Sequence, residues 1–171
     1  MADKKKLSEM LRVDHAGEVG ARKIYEGQLL ILKNKPEAEE IKEMRDQEQK
    51  HLDTFDALLN EHKVRPSFFT PLWNSAGYSL GIISALMGKE TAMACTIAVE
   101  EVIGEHYKSQ AEALEKSNPK LSKLLREFAD EELEHADIAE NHDGKKAPGY
   151  KLLRFIIQSG CKGAIKIAEK I

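Results

Sequence analysis

In the stretch DEELEHAD (residues 130–137), Glu132 and His135 continue a helical stripe that runs through Leu121, Leu125, Phe128, Ala139 and His142 in steps of three or four. A carboxylate and an imidazole one turn apart on an apolar helical face constrain the fold strongly, because that face is where charge is most costly. Glu131 and Glu134 point elsewhere, as acids on a wet face ordinarily do. The segment DQEQKH (46–51) repeats the arrangement. Glu48 and His51 lie in phase with Ile41, Met44, Leu52, Phe55, Leu58 and His62. A single Glu-x-x-His in a helix means little, but two core-facing copies are a different matter.

Helix-forming residues dominate, strand-like alternation is absent, and the prolines at 36, 66, 71, 119 and 148 fall between periodic stretches. The periodicity predicts helices near 7–32, 37–63, 72–87, 89–117, 120–143 and 149–169. The expected fold is all-α. The four long helices near 7–32, 37–63, 89–117 and 120–143 form a bundle, and those near 72–87 and 149–169 are accessory helices that face a membrane or pack on the bundle. At 171 residues and 42% hydrophobic content, the chain is long enough for one domain, 1–171, with a substantial core. A charged fraction of 32% with a net charge of -3 is too balanced for a nucleic-acid binder. Cys95 and Cys161 lack metal-type spacing and read as buried thiols in a reducing compartment. The opening MADKKKLSEML has no apolar signal core, and no run approaches the roughly 20 apolar residues that span a bilayer. The expectation is a chain that neither crosses a membrane nor leaves the cytoplasm.

The first and fourth helices supply matching acids. Laying EVGARKIYEGQ (18–28) over EEVIGEHYKSQ (100–110) superposes Glu18 on Glu100, Tyr25 on Tyr107 and Gln28 on Gln110. Each half of the chain then reads as one glutamate followed by one Glu-x-x-His, a degenerate twofold repeat. Phase resolves the acidic doublet: Met93, Ile97, Glu100, Ile103 and Tyr107 share a stripe, whereas Glu101 leads to Glu105 and Lys108. Leu11, Asp14, Glu18, Ala21, Tyr25, Leu29 and Leu32 share a face in the same way.

Four inward glutamates and two inward histidines would cost several kcal/mol per unpaired buried charge, so a cation is required. Two divalent ions neutralise four carboxylates, and each takes one imidazole. A Glu from each of two helices with Glu-x-x-His from each of the other two is the established ligand pattern of ferritin-like di-iron and di-manganese bundles. Oxygen-rich ligation without thiolate points to iron or manganese, with iron preferred. The expected ligands to two irons are Glu18, Glu48, His51, Glu100, Glu132 and His135, with Glu48 and Glu132 bridging. Asp14, one turn before Glu18, is either a hydrogen-bond acceptor for a ligating histidine or an ordinary helix charge. Tyr25 and Tyr107 are core residues or redox neighbours of the site, and His15, His62, His106 and His142 are expected not to ligate.

Two segments exceed the needs of a plain bundle. PLWNSAGYSLGIISALMG (71–88) is apolar on most sides. The last helix sets Lys151, Arg154, Gln158, Lys162, Lys166 and Lys170 opposite Leu153, Phe155, Ile156, Ile157, Ala164, Ile167 and Ile171, the profile of a helix on an anionic membrane surface. Packing on the bundle or on a partner is the plainer reading of either segment alone. Together they tilt toward a lipophilic substrate drawn from a bilayer.

RVDHAGE (12–18), IYEGQ (24–28), PLWN (71–74), GKE (88–90), MACT (93–96), VEE (99–101) and DEELEH (130–135) resemble, in order, the motifs of the demethoxyubiquinone hydroxylases. The resemblance covers nearly the whole chain, and that family's iron ligands fall on the same six residues. It implies a monooxygenase that uses dioxygen to hydroxylate the ring of a polyprenylated demethoxyubiquinol in ubiquinone biosynthesis. NADH or a reductase would be the donor, and the resemblance admits a homo-oligomer or an accessory lipid-binding protein. It also implies a peripheral membrane location: the cytoplasmic face if bacterial, or the matrix side of the mitochondrial inner membrane if the chain is a trimmed eukaryotic one. A ferritin-like iron-oxidising protein is the alternative for the same ligands, and a metal-free helical interaction protein is disfavoured by the buried charge.

Overall fold

The computed structural model describes residues 2–169, and the sequence-predicted Lys170 and Ile171 of the C-terminal stripe lie outside them. It is all-α, consistent with a ferritin-like bundle: α1 (Ala2–Leu32), α2 (Ala38–His62), α3 (Thr70–Leu86), α4 (Lys89–Leu114), α5 (Pro119–Asn141) and α6 (Tyr150–Ala168), with a 3-10 turn at Gly144–Lys146. Helix α1 starts ahead of its apolar stripe. The lysines before Ser8 are good helix formers, and local contacts extend the coil backward: the Ser8 hydroxyl donates to the Lys4 carbonyl at 2.9 Å and Lys5 lies 3.7 Å from Glu9.

Two compact units emerge. One runs to Gly88 and includes the chain from Lys162 onward; the other is Lys89–Cys161. Each holds one copy of the sequence repeat, a helix with a lone inward glutamate followed by a helix with Glu-x-x-His. In the first unit α2 follows α1 through a short connection, which makes the two a helical hairpin. Helix α2 stops at Lys63, which takes left-handed backbone (φ 54°) and returns its N–H to the Asn60 carbonyl at 3.2 Å.

Helix α3 packs on α1 through backbone. A methyl group on Gly81 would collide with the Ile24 carbonyl, one on Gly77 would sit 2.5 Å from the Gly20 carbonyl, and one on Gly27 would sit 2.8 Å from the Ile82 nitrogen. The buried face of α3 is therefore Gly77, Gly81, Ser84 and Ala85. Its large apolar residues Leu72, Ile83 and Leu86 are exposed, as are Phe68 before it and Met87 after it. At the far end of the chain Ala168 joins Val13 and Ala16 in a small core, with Trp73 and Ile165 packed against it.

In the second unit α5 lies along α4. Asn118 caps α5 by accepting from the Leu121 N–H at 3.2 Å, with Pro119 in the first turn where its missing donor costs nothing. Ser122, buried, donates to the Ala111 carbonyl at 2.7 Å. Beyond α5 the 3-10 turn brings Gly144 so close to α4 that a methyl group would sit 2.6 Å from Ile97 Cδ1.

The phase of α6 differs from the sequence expectation. Arg154 and Gln158 point inward to Glu101 of α4, and Ile157 is buried beside them. Leu152 (65% exposed), Phe155 (69%) and Ile156 (57%) point outward together with Lys151 and Lys162. The polar stripe is thus split, because Glu101 supplies a buried-side partner that periodicity within α6 cannot reveal. No helix of the described residues is long and apolar enough to cross a membrane.

Candidate metal centre

Each unit gathers one set of ligand atoms. In the first, Glu18 comes from the middle of α1, and Glu48 and His51 come from consecutive turns of α2. Glu18 and Glu48 have no exposed surface and His51 has 1%. Ligand atoms of these three residues lie within 4.8 Å of one another, and His51 Nδ1 is 3.6 Å from Glu18 Oε2. In the second, Glu100 comes from α4, and Glu132 and His135 come from α5, all buried. Their ligand atoms also lie within 4.8 Å of one another, with His135 Nδ1 3.4 Å from Glu132 Oε2. Both sets thus contain an imidazole Nδ1 that approaches a carboxylate.

These clusters could hold metal. An ion with bonds of about 2 Å gathers donor atoms at this spread, and carboxylates with one imidazole and no thiolate suit iron or manganese. Such burial is otherwise a poor place for a carboxylate, since removing an ion from water costs several kcal/mol even after relaxation. The acids that helical phase turned away from the ligand sets are more open: Glu131 and Glu101 are half-buried and Glu134 is exposed.

Asp14, Tyr25 and Tyr107 are all buried. The histidines expected not to ligate stay out of both sets. His106 Nε2 lies 2.8 Å from Gln110 Nε2. His15, buried on α1, places Nε2 3.1 Å from Asp56 Oδ1 of α2. Burial pushes the His15 imidazole below its ordinary pKa, and the Asp56 charge only partly offsets this. Sequence reasoning missed this pair, as it missed Glu101 with Arg154, since each joins residues on different helices. The Cys161 thiol, on the inner side of α6, is pushed up to about 11, first by burial and then by the charge of Glu100.

The family model described as "Ubiquinone biosynthesis protein COQ7" matches residues 5–168. The NADPH-dependent 3-demethoxyubiquinone 3-hydroxylase, mitochondrial, of Caenorhabditis elegans is 52% identical over 169 residues, covering 96% of this chain and 90% of the relative. The human protein of the same description is 46% identical, with 96% and 78% covered. The 3-demethoxyubiquinol 3-hydroxylase of Rhodospirillum rubrum is 41% identical over 166 residues, also with 96% and 78% covered.

Proposed function

The chain belongs to the ubiquinone biosynthesis protein COQ7 family, and on that premise we propose that it is a di-iron monooxygenase that hydroxylates the ring of a polyprenylated demethoxyubiquinol with dioxygen. The observation that carries the reading is a pair of buried donor sets, each of two glutamates and one histidine, in a chain that aligns over 96% of its length with proteins named 3-demethoxyubiquinone or 3-demethoxyubiquinol 3-hydroxylase. Glu18, Glu48 and His51 would hold one iron and Glu100, Glu132 and His135 the other. Glu48 and Glu132 would be the bridging ligands. Iron held there in its ferrous form would pass electrons to dioxygen and would be re-reduced by an external donor.

The chain's own residues do the rest. The carboxylates would balance the metals' charge, and Met93, Ile97, Leu125 and Phe55, buried on the helices that carry the ligands, would keep bulk water from the reacting centre. One oxygen atom enters the ring and the other leaves as water, which consumes two electrons and two protons from outside the site. The words "NADPH-dependent" in the names of several relatives support a reduced nicotinamide as the ultimate source, used directly or through a reductase. Asp14 would accept a hydrogen bond from a ligating imidazole, and Tyr25 and Tyr107 would line the site. The iron-oxidising alternative accounts for the ligands but not for the likeness to hydroxylases.

A prenyl tail on the substrate supports a working position at a membrane surface. Leu72, Ile83 and Leu86 on α3 and Leu152, Phe155 and Ile156 on α6 are exposed apolar residues, and on α6 the lysines at 151, 162 and 166 share that outer side. Apolar residues mixed with lysine suit the headgroup boundary of an anionic bilayer. The test is expression in a bacterium that lacks its own demethoxyubiquinol hydroxylase, followed by quinone analysis. Disappearance of the demethoxy intermediate with restored ubiquinone is expected, and persistence of the intermediate with the protein present and iron-loaded would overturn the reading.

A further inference from the structure

Helical phase turns Glu101 away from the ligand sets, yet three donors converge on one of its oxygens. Arg154 Nε and Gln158 Nε2 each reach Glu101 Oε2 at 2.7 Å, and Arg154 Nη2 reaches it at 2.6 Å. Both partners belong to the first half of α6, one turn apart, and both are half-buried. Glu101 also helps hold the Tyr150 hydroxyl in its protonated form, after the larger effect of burial. Such charge-assisted bonds are the strong ones, and here two of the three come from a planar guanidinium whose orientation they fix. The side of α6 that carries them continues to Cys161, which is half-buried. Leu152, Phe155 and Ile156 occupy the opposite side.

We propose that Glu101 is a positioning residue: through Arg154 and Gln158 it clamps the first half of α6 to α4, so that the outer face of Leu152, Phe155 and Ile156 is held in place for the prenyl tail of the substrate at the bilayer surface. The proposal rests on the quinol hydroxylase reading for what the face receives, but the clamp itself does not. A helix held by one polar node and few buried apolar side chains opens locally when that node is removed. Glu101 touches neither metal nor substrate ring. Its loss is therefore expected to spare the metals and to act through α6.

The experiment uses the iron-loaded full chain with Glu101→Gln, Arg154→Met and the charge exchange of Glu101→Arg with Arg154→Glu. The first readout is alkylation of Cys161 by iodoacetamide, which needs no substrate. Cys95 has no exposed surface and stays silent. Each single substitution should speed alkylation about tenfold, the effect of losing one charge-assisted node, and the exchange should return it most of the way. The second readout is turnover. KM for a long-tailed quinol should rise with kcat and iron content little changed, while a tail-less analogue reacts as before. Unchanged alkylation in both single variants overturns the clamp. Faster alkylation with equal loss on both substrates overturns the tail-positioning role. If the wild-type protein hydroxylates neither quinol, the functional reading fails, and the alkylation result still decides the clamp.

Discussion

Glu131 and Glu132 are neighbours in sequence, but Glu132 is fully buried in a candidate ligand set and Glu131 is half open to solvent. Purified Glu132→Ala should lose most of its iron while Glu131→Ala keeps it, with iron per chain as the measurement. Equal loss would mean that the buried set does not bind the metals. His15 gives a residue-scale pH effect. Burial lowers its folded pKa below the ordinary 6.5, so below that pH the unfolded chain binds the proton more readily than the folded one. Stability should therefore fall as pH drops from 6.5 toward the lowered value, and His15→Gln should remove that component of the slope in urea titrations at pH 5 to 7. The burial of the six candidate ligands was legible because helical phase sorts acids on one helix, and burial follows that phase. The His15 to Asp56 contact was not, because its residues are 41 apart and no periodicity within either helix links them.

Helix α3 shows what an element's composition can and cannot say. Its sequence is apolar on most sides, which announces burial or a lipid-facing surface without choosing the face. The choice is made by Gly77 and Gly81, whose missing side chains let the α3 backbone touch α1, so the larger apolar residues are left outside. Gly81→Ala should destabilise the protein by about 2 kcal/mol or more, since the new methyl meets the Ile24 backbone and not a side chain that can yield. Gly20→Ala is the control: its methyl meets nothing within 4 Å, and it should stabilise α1 by up to about 1 kcal/mol. Thermal unfolding of both checks the pair, and similar shifts would contradict the close approach. In α6 the amphipathic character was readable but its phase was not, because Glu101 draws Arg154 and Gln158 inward. The exposed lysines are consequently Lys151, Lys162 and Lys166.

At the scale of the whole molecule, a duplicated pattern of one glutamate and one Glu-x-x-His appears once in each compact unit. The repeat was visible in sequence because the inward acids recur in the same order and at similar spacing in both halves, whereas the surrounding helices differ in all but a few positions. The outer lysines of α6 belong to the proposed encounter with membrane. Changing Lys151, Lys162 and Lys166 to Gln should weaken cosedimentation with anionic liposomes, each charge contributing about 1 kcal/mol, without changing iron content. Binding by wild type should also fall with salt. Unaltered sedimentation would remove these lysines from the docking surface. The central claim, that buried paired metals direct dioxygen into a quinol ring, is tested most directly by isotope. The reduced, iron-loaded protein is given a short-chain demethoxyubiquinol analogue under oxygen-18 gas, and the product is weighed by mass spectrometry. One labelled oxygen on the ring is predicted; unlabelled product, or oxidised iron accumulating with no product, would contradict it.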